Sequence, residues 1–522
     1  MPKEILQNTD PVSTVADNLH SNVFRIFSSF FLSITAAWLV LLTDGNLYVA
    51  PLAVCVPLLL ILLVQRLDLG VFVLLAAAMV IEQFQIFGIS RPVTARIPFF
   101  LNLSTITGMG FLMINPVELV IALILGGWLI RAAASGEWHL RPIPHLKISL
   151  VFLAMLLFYT FYGLARGGDL KVALWEIRAL YYLCAVYFLA SQLIRTRTQI
   201  LICLWIIIVG TAIKGLQGCW RFFIDLGGDI SKAPAITSHE DALFMVTAFI
   251  FMAALFFLGC WRRGEFIVLA ATFPTTFLTF ILTQRRIAYG VLVLSLMIVF
   301  ALLPKSRKIL ALKIAAILLP FFAVYTAVFW NSNSQVALPI RQVRSIFQEG
   351  ENADTSNTYR KIENFNLEQT IRQYPLGVGF GRKYLILLSL PEIDFPLWEY
   401  IPHNCIYWIW AKTGFPGFII FWVFFGSATI QAVIAYRHER EPFYRAVHLL
   451  VITFITSQMA VAYYDLQITF YRNMIYLGTA MALSVAIRHL SYSTADKKSD
   501  PIPQNHLKKG LRYAGHDNTR TA

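Results

Sequence analysis

The sequence predicts an all-α polytopic membrane protein with about fourteen transmembrane helices and one large extracytoplasmic loop. Three observations predict it. Of 522 residues, 57% are hydrophobic and only 14% are charged, with a mean hydropathy of +0.64, which is more apolar surface than a water-soluble chain of this length hides. Apolar runs of about twenty residues, the length of helix that crosses a bilayer, recur along the chain. These runs lack the period-two alternation of a transmembrane barrel, and hydrocarbon forces every backbone N–H and C=O to be satisfied within its own segment.

In chain order the spans fall near 24–43, 47–64, 67–87, 112–134, 148–164, 177–194, 199–224, 242–260, 266–284, 287–303, 309–330, 413–436, 446–462 and 468–487. The first run follows a polar stretch and lacks a small-residue cleavage signature, so it reads as a retained span rather than a signal peptide. With the amino terminus cytoplasmic, one set of alternate connections carries Arg66, then Arg131, Arg141 and Lys147, then Arg195 and Arg197, then Arg262 and Arg263, then Lys305, Arg307 and Lys308, then Arg437, Arg440 and Arg445. The other connections carry fewer cations for their length, and an even number of spans returns the basic tail to the first side, so both termini are expected in the cytoplasm. The resulting division is a cytoplasmic segment 1–23, eleven spans in 24–330, an extracytoplasmic loop 331–404, three spans in 405–488, and a disordered basic cytoplasmic tail 489–522.

Much of the net charge of +14 sits in the short basic loops and in the tail, at Lys497, Lys498, Lys508, Lys509, Arg512 and Arg520. That distribution records topology, and no nucleic-acid partner is expected. The six cysteines (Cys55, Cys184, Cys203, Cys219, Cys260 and Cys405) are isolated and form no C-x-x-C pair, which argues against a disulfide framework or a zinc site. No fixed-period internal repeat is present.

The loop of about seventy-five residues is long enough to expect function in it. Within it Tyr359, Ile362, Phe365, Thr370 and Ile371 follow a rough helical spacing behind a Thr355/Ser356 cap, which predicts an amphipathic helix lying on the outer surface. Given the orientation, Glu82, Arg166, Glu176, Arg178, Lys214, Arg221, Arg285, Arg286 and Arg472 map to the outer half of their spans or to the outer interface. Charges at that depth must snorkel, pair or line a wet cavity. Most are cations, the requirement for an anionic headgroup or a diphosphate. Arg285-Arg286 occupies a short turn between two apolar spans, where either an acidic partner from Glu82 or Glu176, or a bound diphosphate, would compensate it.

Near its end the loop reads Tyr374-Pro375-Leu376-Gly377-Val378-Gly379-Phe380-Gly381, then Pro402-His403-Asn404, then Lys412-Thr413-Gly414-Phe415-Pro416-Gly417-Phe418 at the entry to the next span. Gly377, Gly379 and Gly381 permit a tight backbone path and could form an anion-binding nest, but no dinucleotide-binding helix or P-loop lysine follows.

On a polytopic scaffold these segments, in this order, resemble the O-antigen ligase and polymerase superfamily, which includes exopolysaccharide polymerases and bacterial protein O-oligosaccharyltransferases. The family pattern of a loop arginine, Pro-Leu-Gly-x-Gly-x-Gly, His-Asn and Gly-x-x-Gly is met by Arg360, residues 375–381, His403-Asn404 and Gly414–Gly417. An upstream Leu-Thr-x-Ser-Arg element is similar to Leu282-Thr283-Gln284-Arg285-Arg286. There the family serine is Arg285, so Arg286 is the better match to the family arginine, and a tryptophan usual after the loop arginine is missing.

The resemblance implies a GT-C-like fold in a bacterial inner (plasma) membrane and a role in cell-surface, lipopolysaccharide or exopolysaccharide biosynthesis. The implied reaction moves a glycan from a polyprenyl diphosphate-linked donor to an acceptor hydroxyl on a glycan, lipid or protein, with inversion and without a cofactor or metal. His403 would be the base, Asn404 would orient it, and Arg286 with Arg285, Arg360, Arg178, Lys214, Arg221 and Arg472 would hold the diphosphate. The only close approaches to a carboxylate metal site, Glu392-x-Asp394 and Glu240-Asp241 after His239, read as solvated polar pairs. The competing classes are a transporter or flippase of a lipid-linked glycan, in which the same cationic groups bind without bond formation, and a noncatalytic scaffold.

Overall fold

The computed structural model describes residues 65–84, 86, 92–110, 112–136, 140–233, 235–332, 334–345, 355–391, 393 and 395–499, together with Ser33. Among the described residues the regular structure is helical throughout, with no strand. Among these described residues ten helices are long and apolar enough to cross a membrane, and two shorter apolar helices accompany them. The chain runs α1 (Leu67–Val80), α2 (Pro116–Ser135), α3 (Leu146–Ala165), α4 (Leu170–Leu193), α5 (Arg197–Trp220), α6 (His239–Phe257), α7 (Gly264–Leu282), α8 (Arg286–Leu302), α9 (Lys305–Phe329), α10 (Leu338–Arg344), α11 (Thr355–Gln373), α12 (Cys405–His438), α13 (Pro442–Ala462) and α14 (Tyr471–Ser499). Twelve of the fourteen expected windows therefore coincide with helices. The windows at 24–43 and 47–64, the amino-terminal segment 1–23 and residues 500–522 lie outside the described residues, Ser33 excepted. The first eleven residues of the expected tail, 489–499, continue α14.

Helix starts follow local capping chemistry more closely than hydropathy. α2 opens on an Asn115–Glu118 capping box with Pro116 in its first turn, and α5 opens on a Thr196–Gln199 box. α4 begins seven residues before its apolar window, because the Asp169 carboxylate accepts from Val172 N at 2.9 Å. α12 likewise begins at Cys405, where Asn404 Oδ1 accepts from Tyr407 N at 3.1 Å. Its backbone is broken at Gly414, with φ 60° and ψ −171°.

The connections sort into two ends. At one end the basic turns gather: Arg131 donates to Gln65 O at 2.5 Å, Arg141 donates to Ile194 O at 2.7 Å, and Arg197 pairs with Glu441 at 3.1 Å. At the other end lie the Thr283–Arg285 turn, the segment 463–470 and the described residues of 226–238 and 331–404. α14 packs along α4 and α1, α5 along α7, and α13 between α6 and α12. Close approach of α5 to α7 depends on small residues, since a Cβ on Gly218 would come within 2.2 Å of the Thr279 side chain, and Thr279 Oγ1 donates to Gly215 O at 2.8 Å. α9 is the exception, with not one buried residue.

A charge cluster ties α1, α5, α6 and α14 together inside the bundle. Glu82, just past α1, meets Lys214 at 3.1 Å and Arg221 at 3.0 Å. Arg472 meets Asp241 at 2.6 Å and lies 3.9 Å from Glu240, and its Nε donates to Ala78 O at 2.7 Å. All six side chains are buried. Glu240-Asp241 is thus not the solvated pair the local sequence implies, because cations from distant helices reach it. Three carboxylates face three cations, and removing one partner leaves its opposite number buried and uncompensated, a loss of about 3–5 kcal/mol. Arg472→Met is expected to lower the unfolding temperature in detergent well below that of Arg437→Gln, a substitution at the basic end used as control. Equal melting of the two would show that the cluster contributes little.

Candidate active site

The Gly-x-Gly-x-Gly segment is a strap, and its amides are spent on the protein. Gly377, Gly379 and Gly381 all adopt positive φ, between 81° and 84°, which only glycine accepts without strain. Gly377 N donates to Tyr374 O at 2.8 Å, Val378 N to Ala411 O at 2.9 Å, Gly379 N to Lys412 O at 2.9 Å and Phe380 N to Tyr159 O at 3.1 Å. A Cβ on Gly379 would lie 2.4 Å from Gly163 Cα, and one on Gly377 would lie 2.4 Å from Lys412 O. The strap therefore threads between α3, the start of α4 and the break in α12. The one anion it holds is the chain's own: Gly381 N donates to Glu176 Oε2 at 2.5 Å, and Glu176 Oε1 meets Lys412 Nζ at 2.5 Å. Lys412 also donates to Arg382 O.

Beyond the strap the chain folds back over α11. Asn366 accepts from Leu387 N at 3.0 Å and Leu388 N at 2.9 Å, and donates to Leu388 O at 2.8 Å. Thr370 Oγ1 accepts from Leu385 N at 3.0 Å. Tyr359, Leu367, Tyr384, Leu390 and Ala411 form a small core beneath, joined by Ile362, Ile371 and Trp398. Of the expected apolar stripe, Tyr359, Ile362 and Ile371 face this core, Thr370 enters as a hydrogen-bonding group, and Phe365 points outward, 39% exposed.

This packing positions His403. Its backbone N donates to Glu363 Oε2 at 3.0 Å, and its Nδ1 lies 3.2 Å from Glu363 Oε1. The Glu363 side chain is 1% exposed, the His403 side chain 27%. Tyr359 sits edge-on to the imidazole, with ring centroids 5.5 Å apart; burial and the Glu363 charge push its hydroxyl pKa up to about 12. Asn404 does not hold the His403 ring: its Nδ2 donates to Asn364 Oδ1 at 3.0 Å while its oxygen caps α12.

Arg360 lies one turn before Glu363 on α11, and its guanidinium repels that of Arg285. Burial lowers the Arg285 pKa, whereas the Asp465 and Glu240 carboxylates raise it. Asp465 lies 3.5 Å from His239 Nδ1. Burial pushes the Asp465 carboxyl up, but His239 and Arg285 hold it below the ordinary carboxylate range. The turn bearing Arg285 is set by Gln284, whose φ of 57° is the one positive value at a non-glycine among the described residues. Its neighbour Thr283 shares a 2.9 Å hydrogen bond with Thr237. Arg286 Nη1 donates to Ser345 Oγ at 3.2 Å.

The remaining expected cations are engaged by acids. Arg178 meets Glu118 at 2.9 Å and donates to Asn102 Oδ1 at 2.7 Å and to Met113 O; Lys214, Arg221 and Arg472 belong to the internal cluster. Glu82 and Glu176, the acids expected to compensate the Arg285-Arg286 turn, are taken by Lys214 and Arg221 and by Lys412. Glu392 and Asp394 lie outside the described residues.

With this geometry in view, comparison with known families is decisive for one segment. Residues 271–422 match the O-antigen ligase family. This segment belongs to the O-antigen ligase and polymerase superfamily. No curated protein matches the chain. The O-antigen ligase domain takes in the Arg285-Arg286 turn, Arg360, Glu363, the strap and His403-Asn404, and leaves out Arg178, Lys214, Arg221 and Arg472. It supports glycan transfer of the O-antigen ligase or polymerase type in a membrane. Glu363, Asp465 and the pairing of His239 escape the sequence reading. Only Glu363 leaves a local trace, as an acid in register with Tyr359 and Leu367 on the inward face of α11.

Asn366→Ala removes three hydrogen bonds between α11 and residues 387–388, worth roughly 2–4 kcal/mol together. Limited proteolysis is expected to cut within 385–399 at least tenfold faster in this variant than in the parent chain; unchanged cleavage would mean that the loop is held by its apolar core alone.

Proposed function

We propose that the chain is a metal-independent inverting glycosyltransferase that moves a glycan from a polyprenyl diphosphate carrier to an acceptor hydroxyl, on the extracytoplasmic side of a bacterial inner membrane. The observation that carries the reading is the His403–Glu363 pair, 3.2 Å apart, one helical turn from Arg360, whose charge is felt by Arg285. Glu363 engages Nδ1 and so directs Nε2 outward as the proton acceptor, the arrangement by which a carboxylate selects a base's tautomer. The acceptor hydroxyl gives its proton to Nε2 as its oxygen bonds to the anomeric carbon. The bond from that carbon to the diphosphate oxygen breaks, and the electron pair leaves with the diphosphate. Arg285 and Arg360 meet the charge that develops there, with Arg286 at the edge of the turn, and guanidinium forks suit phosphate oxygens. Arg178, Lys214, Arg221 and Arg472, engaged by carboxylates, serve this reading as scaffold rather than as diphosphate ligands.

Reconstitution of the purified chain in liposomes with a polyprenyl diphosphate glycan and an acceptor tests the proposal. Bond formation is expected, with His403→Ala and Arg285→Ala each losing about a hundredfold or more in rate. Glu363→Gln should lose less than His403→Ala, since the ring stays in place while its tautomer is no longer selected. Movement of the glycan across the bilayer without transfer would assign a transporter, and neither activity would assign a scaffold. Near-parental transfer by His403→Ala would remove the histidine from the reaction.

A further inference from the structure

At the loop end of the bundle, four residues on from His403, begins a group of tyrosines that the transfer chemistry leaves unused. Asn404, next to His403 in the chain, donates to Asn364 Oδ1 on α11 at 3.0 Å and accepts from Tyr407 N at 3.1 Å. Glu368 stands one turn along α11 from Asn364, on the same face, and its carboxylate interacts with the Tyr407 hydroxyl. The Tyr407 ring is perpendicular to that of Tyr463, at 84° with centroids 6.1 Å apart. Tyr463 in turn meets Tyr464 at 78° and 5.0 Å. A line of amide, carboxylate and phenol groups therefore runs from the residue beside His403 to Tyr463 and Tyr464, which are 41% and 49% exposed.

Tyrosines near a membrane surface can serve only as amphipathic anchors at headgroup level. Two features here go beyond anchoring. The rings brace one another edge to face, which fixes their directions. Glu368, Asn364 and Asn404 also set a carboxylate and two amides along the same line, groups that acyl chains do not satisfy. A sugar ring has the matching chemistry: its C–H faces lie on aromatic rings, while its hydroxyls donate to a carboxylate and exchange hydrogen bonds with amides. A binding site for one combines apolar rings with a few placed polar groups in this way. We propose that Tyr407, Tyr463 and Tyr464, with Glu368, form a saccharide-binding platform for the sugar chain of a substrate whose reacting end lies at His403. The place of that reacting end rests on the glycan-transfer reading, whereas binding of the sugar chain requires no transfer.

The probe is the oligosaccharide released by mild acid from the lipid-linked glycans of the cells that make this chain. Full-length chain in nanodiscs is nitrated with peroxynitrite, with and without the probe, and each tyrosine is read by peptide mass spectrometry; affinity is measured by titration. Tyr463 and Tyr464 are expected to be nitrated in the free chain and protected at least threefold by the probe. The Tyr463→Ala/Tyr464→Ala pair should bind at least tenfold more weakly, and Tyr463→Phe should keep most of the affinity because its ring remains. Competition by the polyprenyl diphosphate-linked glycan would place the donor's sugar on the platform, and a KM raised for the acceptor alone in the paired variant would place the acceptor's. No nitration of either ring in the free chain, which would mean rings covered or turned to lipid, would overturn the assignment. So would a parent chain that does not bind the probe, or equal binding by the parent and the paired variant. A chain that binds the probe through these rings yet forms no bond would fail the transferase reading alone.

Discussion

The contact on which the loop side of this protein rests is the ion pair between Glu176 and Lys412, 2.5 Å apart with neither side chain exposed. Charge placed so deep survives only when it is matched and its remaining hydrogen-bonding capacity is filled. Here Gly381 N donates to one carboxylate oxygen and Arg382 O accepts a hydrogen bond from the ammonium. The pair therefore clamps the strap to α4 and α12 at the same time. The elements that orient His403 adjoin this clamp along the chain: α11, which carries Glu363, runs into the strap, and α12, which carries Lys412, starts at the Asn404 cap.

The helices were legible because their cause is local. Apolar windows and caps lie within a few residues of one another, and twelve windows correspond to helices. Errors of start arise where a cap and polar residues precede the apolar window, as with Asp169, Lys171 and Glu176 at the start of α4. Pairing of charges was less legible, because its cause is not local: Glu82 and Lys214, or Asp241 and Arg472, are brought together only by packing. Sequence reasoning could say that such charges need partners, and it proposed a ligand for cations that the bundle itself neutralises.

The candidate site shows the same division. His403, Arg285-Arg286 and Arg360 stand out as polar residues in a recognisable order, whereas Glu363 and Asp465 are ordinary helix and loop carboxylates until α11 and the 463–470 turn are folded over the bundle. The glycine motif was visible but its purpose was not. Alternate glycines are equally suited to wrapping an anion and to lying against backbone, and only the atoms opposite each glycine distinguish the two.

The isolation of α9 sets the loop apart from the bilayer in a mechanical sense. A span with no buried residue can tilt to match a thicker or thinner hydrocarbon layer at small cost, and little packed against it would be dragged along. The loop that follows is moored at its far end, through the strap, to helices that do not tilt independently. Changes in membrane thickness should thus be absorbed in α9 and the joint at α10, with the geometry around His403 left undisturbed.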